Sequence, residues 1–322
     1  MNICRICQNR QRNKSYIARE MMYKLKDKFE YFECADCGCL QIKEIPSNLS
    51  RYYPQNYYSF QQQHKLNSRY LKSLFKSRVA KNSLYKRNFI GMILSKKYEP
   101  PNFCNWFRKV KINIESEILD VGSGTGERLL EIQRAGFVKL TGIDPYIRQD
   151  ISYKNGLKIF KKNIQQLQYQ FDFIMLNHSF EHMDNPLSVL RQLHRILKQD
   201  RFILIRTPVA SSFSWRHYGI NWVQLDAPRH LFLYTPKSIK ILASQAGLEL
   251  ADIVFDSTEL QFWGSEQYIK DIAILENNSY VKNPKKSIFT KKQIRQFKTK
   301  AAELNKNQDG DSACFYLYKK RN

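Results

Sequence analysis

The chain has 322 residues and 43% hydrophobic content, enough to bury a full core, and its length alone suggests about two domains. It contains no apolar run long enough to cross a bilayer, and Met1-Asn2-Ile3-Cys4 starts no basic-then-apolar signal segment, so membrane-spanning and secreted classes drop out and a cytoplasmic protein is expected. Lys and Arg outnumber Asp and Glu by 53 to 29, a formal charge of +24 that suits nucleic acid, an anionic membrane surface or an acidic substrate as partner, and equally a generally cationic surface.

The amino-terminal stretch carries Cys4-Arg-Ile-Cys7 and then Cys34-Ala-Asp-Cys37-Gly-Cys39. In a reducing compartment, spaced cysteines point to metal before disulfide. Each C-x-x-C pair can present two thiolates from a tight knuckle, so Cys4, Cys7, Cys34 and Cys37 complete a tetrahedral zinc site. Tyr31-Phe32-Glu33 alternates as a strand leading into the second knuckle, as in a zinc ribbon. Cys39 could stand in for Cys37, but the regular pair spacing favours Cys37. A redox C-x-x-C would need a surrounding βαβ pattern, which is lacking.

Residues 51 to 60 are dense in tyrosine and broken by Pro54; they read as a connector, or as rings able to stack on a sugar or base. Residues 61 to 111 hold thirteen Lys or Arg and one acid, Glu99. Leu66, Tyr70, Leu71, Leu74, Phe75 and Val79 recur there at helical spacing, with Lys65, Arg69, Lys72, Lys76 and Arg78 between them. Such a basic amphipathic helix covers a sheet, rests on anionic lipid or meets a phosphate-bearing acceptor. Pro100 and Pro101 mark a boundary.

Ile118, Leu119 and Val121 form a buried strand that opens into Gly122-Ser123-Gly124-Thr125-Gly126 and then a helix from Glu127. Glycines at these positions let the backbone turn tightly and let a ligand lie against the main chain. A glycine turn alone suits NAD, FAD or S-adenosylmethionine (SAM), or a structural bend. With Asp120 ahead of the first glycine, the run resembles the first motif of class I SAM-dependent methyltransferases, whose acid and glycines surround the amino-acid end of the cofactor. The resemblance makes Asp120, Gly122, Ser123, Gly124 and Gly126 cofactor residues.

Leu140-Thr-Gly-Ile-Asp144 is the second strand, and its acid lies about 20 residues after the turn, where a carboxylate can accept both ribose hydroxyls. Asp144 could otherwise be a turn aspartate before Pro145. A third strand lies near 157 to 160; the resemblance makes Asn163, just beyond it, the match for the side chain that holds the adenine amino group. Phe171 to Asn177 is the fourth strand. Ligands in open α/β sheets bind at carboxyl ends of strands, so Asn177 and His178 should border the methionine part of the cofactor. The run His178-Ser-Phe-Glu181-His182-Met-Asp184 resembles the strand-four signature of the group containing the ubiquinone-pathway O-methyltransferases. Glu181, His182 and Asp184 could hold a metal or brace the start of a helix over 186 to 197.

Residues 201 to 208 give the fifth strand. The loop from 210 to 230, with Trp215, His217, Tyr218, Trp222, Asp226, Arg229 and His230, is where an acceptor would be held. A helix over 236 to 246 and a strand over 248 to 255 follow. A long segment with a basic run at 282 to 300, eight Lys or Arg and no acid, precedes the last strand at 314 to 318. Cys104 and Cys314 read as buried small hydrophobes. The reversed final strand again resembles class I methyltransferases.

The resemblance spans about residues 112 to 320 and implies an α/β, Rossmann-like seven-stranded methyltransferase sheet with a small zinc ribbon in front. The domains expected are a ribbon at 1 to 50, a tyrosine-rich linker and basic helical segment at 51 to 111, and the methyltransferase domain at 112 to 322. Zinc knuckles ahead of this domain resemble bacterial enzymes of sugar and surface-polysaccharide biosynthesis, including zinc-bearing deoxysugar C-methyltransferases. Those usually carry a further carboxyl-terminal domain, so O- or N-methylation is equally admitted. The implied activity is methyl transfer from SAM to a small-molecule or glycan acceptor, with His217 and His230 as candidate bases, each of which could instead be structural. An RNA methyltransferase that grips phosphates with its ribbon and basic runs is the competing enzyme. A non-catalytic ribbon interaction protein is the third reading; intact Gly122, Gly124, Gly126 and Asp144 argue against it.

Overall fold

The computed structural model describes residues 2–54, 68–85, 89–95 and 98–321. Its strands, in chain order, are β1 (Lys14–Arg19), β2 (Lys28–Glu33), β3 (Leu40–Ile42), β4 (Ile118–Val121), β5 (Leu140–Ile143), β6 (Ile151–Ser152), β7 (Lys158–Phe160), β8 (Phe171–Asn177), β9 (Leu197–Pro208), β10 (Phe232–Leu233), β11 (Glu249–Phe255) and β12 (Ser312–Lys319). A four-stranded sheet runs β1-β2-β3-β10, and an eight-stranded mixed sheet runs β11-β12-β9-β8-β4-β5-β7-β6. The second sheet has one strand more than the seven expected, because the two-residue β6 pairs antiparallel with β7 at the edge. The tyrosine-rich stretch at 55 to 60, with Lys65 and Leu66, lies outside the described residues. The helix expected after it runs from Ser68 to Tyr85.

Two compact units divide the chain: residues 1–54, 178–190 and 205–317 make one, and 55–177, 191–204 and 318–322 the other. In the second unit β4 lies between β5 and β8 and parallel to both, with Ile118 opposite Leu140 on one side and Phe173 on the other. Every residue of β4 and the first six of β8 are buried, the continuous pattern of strands covered on both faces. The prolines at 100 and 101 mark the start of a helix, Asn102–Lys109, with Pro101 as its N-cap. That helix buries Phe103, Cys104, Trp106 and Phe107, and Phe107 meets the rings of Phe137 at 4.9 Å and Phe173 at 5.6 Å.

In the first unit, the sheet of β1 to β3 acquires a partner strand from far along the sequence. β10 pairs antiparallel with β3, Phe232 opposite Gln41 and Leu233 opposite Leu40. The Tyr31 hydroxyl donates to the carbonyl of His230 at 2.8 Å. Thr235 caps the helix Pro236–Gln245 and donates its hydroxyl to the Cys37 carbonyl at 2.6 Å. Gly38, at φ +70°, lies under it; a Cβ there would come within 3.1 Å of the Thr235 methyl.

The stretch from 210 to 230 differs from the open aromatic loop expected. It folds into a helix, Phe213–Tyr218, and two short 3₁₀ turns, and buries Trp215, Tyr218 and Trp222. Trp222 donates its indole N–H to Asp311 Oδ2 at 2.9 Å. These rings are core, and large apolar rings go inside when their polar handle finds a partner there. Cys104 and Cys314 are buried, as small hydrophobes. All eight cations of 282 to 300 are exposed. Among the described residues, no helix is long and apolar enough to cross a membrane.

Candidate active site and metal centres

The glycine turn follows β4 directly. Gly122, Gly124 and Gly126 take φ values of 74°, 54° and 83°, in the left-handed region that glycine enters without strain. Gly126 is also pinned by space, since a Cβ would lie 2.5 Å from Ile159 Cδ1. The N–H groups of Gly122 and Ser123 donate to the Ile143 carbonyl at 2.9 and 3.1 Å, stitching the turn to the end of β5. Asp144 completes the stitch: its Oδ2 accepts the Gly124 N–H at 2.9 Å and its Oδ1 the Tyr146 N–H at 2.8 Å. A carboxylate oxygen can accept more than one hydrogen bond, the chemistry a ribose hydroxyl needs.

The cradle fits a nucleoside cofactor on a further count. Asn177 Oδ1, at the carboxyl end of β8, is buried with no hydrogen-bond partner among the described residues. Buried polar atoms are almost always satisfied, and a ligand donor would satisfy this one. Asn163 is different: its side chain is exposed, and its N–H donates to Gln166 Oε1 at 2.8 Å as the cap of a short 3₁₀ turn.

Asp120 is buried, and burial pushes its carboxyl up from 3.8 to about 7, with Asp144 adding to the rise and Arg128 opposing it. A carboxyl raised in the fold holds its proton more tightly there than in the unfolded chain. The stability this confers is complete below pH 3.8 and is lost as pH rises through about 7. Asp120→Asn removes that titration. Without SAM, the variant should melt higher than wild type at pH 8, by about 4 kcal/mol of stability, with the gap narrowing toward pH 5. Parallel melting curves across that range would show that Asp120 stays ionised throughout.

The four expected zinc ligands converge. Sγ of Cys4 lies 3.6 Å from that of Cys37, and Sγ of Cys7 lies 3.5 Å from that of Cys34. All four sulfurs fall within 4.8 Å of one another. Thiolates at about 2.3 Å from a tetrahedral zinc sit at nearly this mutual spacing. Gln41 Nε2 and the Ile6 N–H both donate to Cys4 Sγ, at 3.2 and 3.4 Å, the outer support that a charged sulfur ligand uses. Cys39 is buried beside the group without joining it, and its Sγ faces the Leu40 carbonyl at 3.8 Å.

A second cluster forms in the same unit from residues far apart in sequence. Glu181 is wholly buried; Thr207 donates to its Oε2 at 3.0 Å, and His178 Nδ1 lies 3.1 Å from its Oε1. Burial raises the Glu181 carboxyl, but the His178 bond and the fields of His178, His230 and His182 outweigh it and bring it down to about 2. His178 Nε2 receives the guanidinium of Arg206, which also donates to Asp256 at 2.6 Å. His230 is buried, its Nδ1 2.7 Å from the Gln224 carbonyl. Its Nε2 stands 4.0 Å from Glu181 Oε1 and 3.9 Å from Asp226 Oδ2. The His182 ring meets that of His230 edge to face at 4.8 Å. Beneath them Arg229, wholly buried, bonds Asp226 at 2.6 Å, Glu20 at 2.8 Å and the Tyr52 carbonyl at 3.3 Å.

The two candidate bases therefore part company. His217 is exposed and stacked on Phe213 at 5.1 Å, whereas His230 is enclosed by carboxylates. Asp184 is exposed and outside the cluster, and His230 takes the place the sequence reading gave it beside Glu181 and His182. Arg229, expected in an acceptor-holding loop, is instead the buried cation of this cluster, and its partner Glu20 has no counterpart in the sequence reading. A lone Glu after a ribbon strand gives no local signal; its carboxylate is recognisable only by the backbone N–H groups of Met22, Tyr23 and Leu25 that it accepts.

A glycine turn fastened to an acid at the end of the next strand, on a mixed sheet of this order, places the fold in the Rossmann-like α/β class. Residues 56–253 match the model of the methyltransferase-domain family, and the chain belongs to that family. What this match shows is a methyltransferase domain. In sequence it is 30% identical to human EEF1A lysine methyltransferase 2 over 120 aligned positions, covering 31% of this chain and 50% of that protein. The chain thus spans half the length of the curated relative it matches. Similar solved structures include the cyclopropane synthase MmaA2 from Mycobacterium tuberculosis, 13% identical, covering 80% of this chain and 96% of that one with a TM-score of 0.44. Mycolic acid cyclopropane synthase CmaA1, complexed with SAH and CTAB, is 15% identical over 73% of this chain and 87% of that one, also with a TM-score of 0.44.

Proposed function

We propose that the protein methylates a hydroxyl of a small-molecule or glycan acceptor, a sugar carried on phosphate, in the cytoplasm, with His230 as the base. The observation that carries this reading is the buried His230, anchored through Nδ1 with its Nε2 turned between two carboxylates. When bound, SAM supplies an electrophilic methyl on its sulfonium. Asp144 receives the ribose hydroxyls, Gly122, Ser123, Gly124 and Gly126 shape the turn the cofactor lies on, and Asp120, Asn163, Asn177 and His178 complete its surroundings. His230 takes the acceptor's proton at Nε2, and Glu181 and Asp226 stabilise the imidazolium that results. The exposed lysines of 282 to 300 suit the phosphates of such an acceptor.

General bases contribute typically 10²- to 10⁴-fold, so His230→Asn should lower kcat by about that factor while SAM affinity stays put. His217→Asn should change little. A His230→Asn enzyme with wild-type turnover would end the base assignment. The acceptor class is tested with isotope-labelled SAM in cell extract, where label should enter glycan or nucleotide-sugar fractions. Label in RNA, with a steep fall of binding as salt rises, would favour the RNA reading supported by the same lysines. Label in protein would bring the acceptor of the human relative into play.

The four cysteines are read as one structural zinc, closed to substrate. Protein purified without chelators should hold one zinc per chain at this tetrad, and strong chelation should melt the ribbon, since binding energy at such sites is folding energy. An unchanged melt after the tetrad has been emptied would remove the structural role.

A further inference from the structure

Apart from the cysteine tetrad, the geometry points to a second metal site, formed by Glu181, His182 and His230, for one divalent cation of borderline softness such as Zn2+, Co2+ or Fe2+. A carboxylate oxygen of Glu181 and one ring nitrogen from each histidine lie within 4.8 Å of one another. An ion with bonds of about 2.0–2.2 Å holds its ligands roughly 3–3.5 Å apart, so small turns of three side chains close the site without moving the backbone. Two imidazoles and a carboxylate form a donor set that suits these cations and leaves coordination positions open.

The surroundings are those of a ligand set already oriented. His230 Nδ1 lies 2.7 Å from the Gln224 carbonyl and His182 Nδ1 2.8 Å from the Arg229 carbonyl. A carbonyl can only accept, so each Nδ1 carries the proton and each Nε2 the lone pair, the arrangement by which metal-binding histidines are fixed. The two oxygens of Glu181 are held by His178 and Thr207, which fix the carboxylate without exhausting its acceptor positions. Charge agrees. Glu181 and Glu20 are wholly buried carboxylates, Asp226 is a largely enclosed third, and the Arg229 guanidinium offsets one of them. A divalent cation would balance the other two.

A cation on His230 Nε2 removes the lone pair that takes up the acceptor's proton, so occupancy should stop methyl transfer; this consequence alone rests on the proposed role of His230. The test is a Co2+ titration of the full chain with its cysteine tetrad already filled by zinc. One equivalent should bind with weak visible bands and no sulfur-to-cobalt charge-transfer band. His182→Gln and His230→Gln, checked for a wild-type far-UV spectrum and retained ribbon zinc, should each weaken binding at least tenfold. No further equivalent in the wild type, affinity unchanged in both variants, or a sulfur charge-transfer band from cobalt in the tetrad overturns the site. Turnover measured alongside should fall in step with occupancy. If it rises instead, the cation site stands and His230 is not the base.

Discussion

Substituting methionine for Arg229 is expected to lower the stability of the chain by about 3–5 kcal/mol, the cost of leaving buried charges without their partner. Arg229 is wholly buried and donates through three nitrogens, to Asp226, to Glu20 and to the Tyr52 carbonyl. Without it, the buried Glu20, the largely enclosed Asp226 and a main-chain oxygen lose their partner together. The loss should appear as a lower urea midpoint at an unchanged slope. Adding Glu20→Gln and Asp226→Asn to the methionine variant should recover a good part of it, because the partners are then no longer charged. A single variant with the wild-type midpoint would show that the network contributes nothing net.

Asp144→Ala should weaken SAM binding by about 10²-fold, a loss near 3 kcal/mol from hydrogen bonds to a charged group. The variant also strands the Gly124 and Tyr146 N–H groups that the carboxylate receives, so the turn loosens before any cofactor arrives. Asp144→Asn keeps an acceptor oxygen and should fall between the two. Calorimetric titration of SAM into the three proteins measures this directly. Equal affinities would remove Asp144 from the cofactor site.

What was legible from sequence was what is encoded locally. Within each knuckle the two cysteines are separated by only two residues, and the positions of Cys4, Cys7, Cys34 and Cys37 needed no knowledge of the rest of the fold to be grouped. β4 and β8 were readable because strands covered on both faces are apolar without interruption. Asp144 follows from strand length and spacing. The Glu181 cluster was only half visible: Glu181 and His182 are neighbours, but His230 reaches them from a different loop, and no periodicity links the two stretches. In the sequence alone Trp215 and Trp222 read as part of a binding loop, because aromatic residues in loops are ambiguous until their polar atoms are placed. For Trp222, that placement is Asp311.

The pairing of β10 with β3 also bears on how the chain is made. The strands β1 to β3 and the four clustered cysteines leave the ribosome well before β10. Their sheet cannot be completed then, because the strand that covers Leu40, Gln41 and Ile42 comes only with Phe232 and Leu233. During the synthesis of everything in between, β3 presents an open row of main-chain donors and acceptors, the kind of edge to which another nascent chain can add. The vulnerable interval is therefore set by translation speed, and slowing elongation between residues 42 and 232 should raise aggregation of newly made protein while leaving the finished molecule's stability untouched.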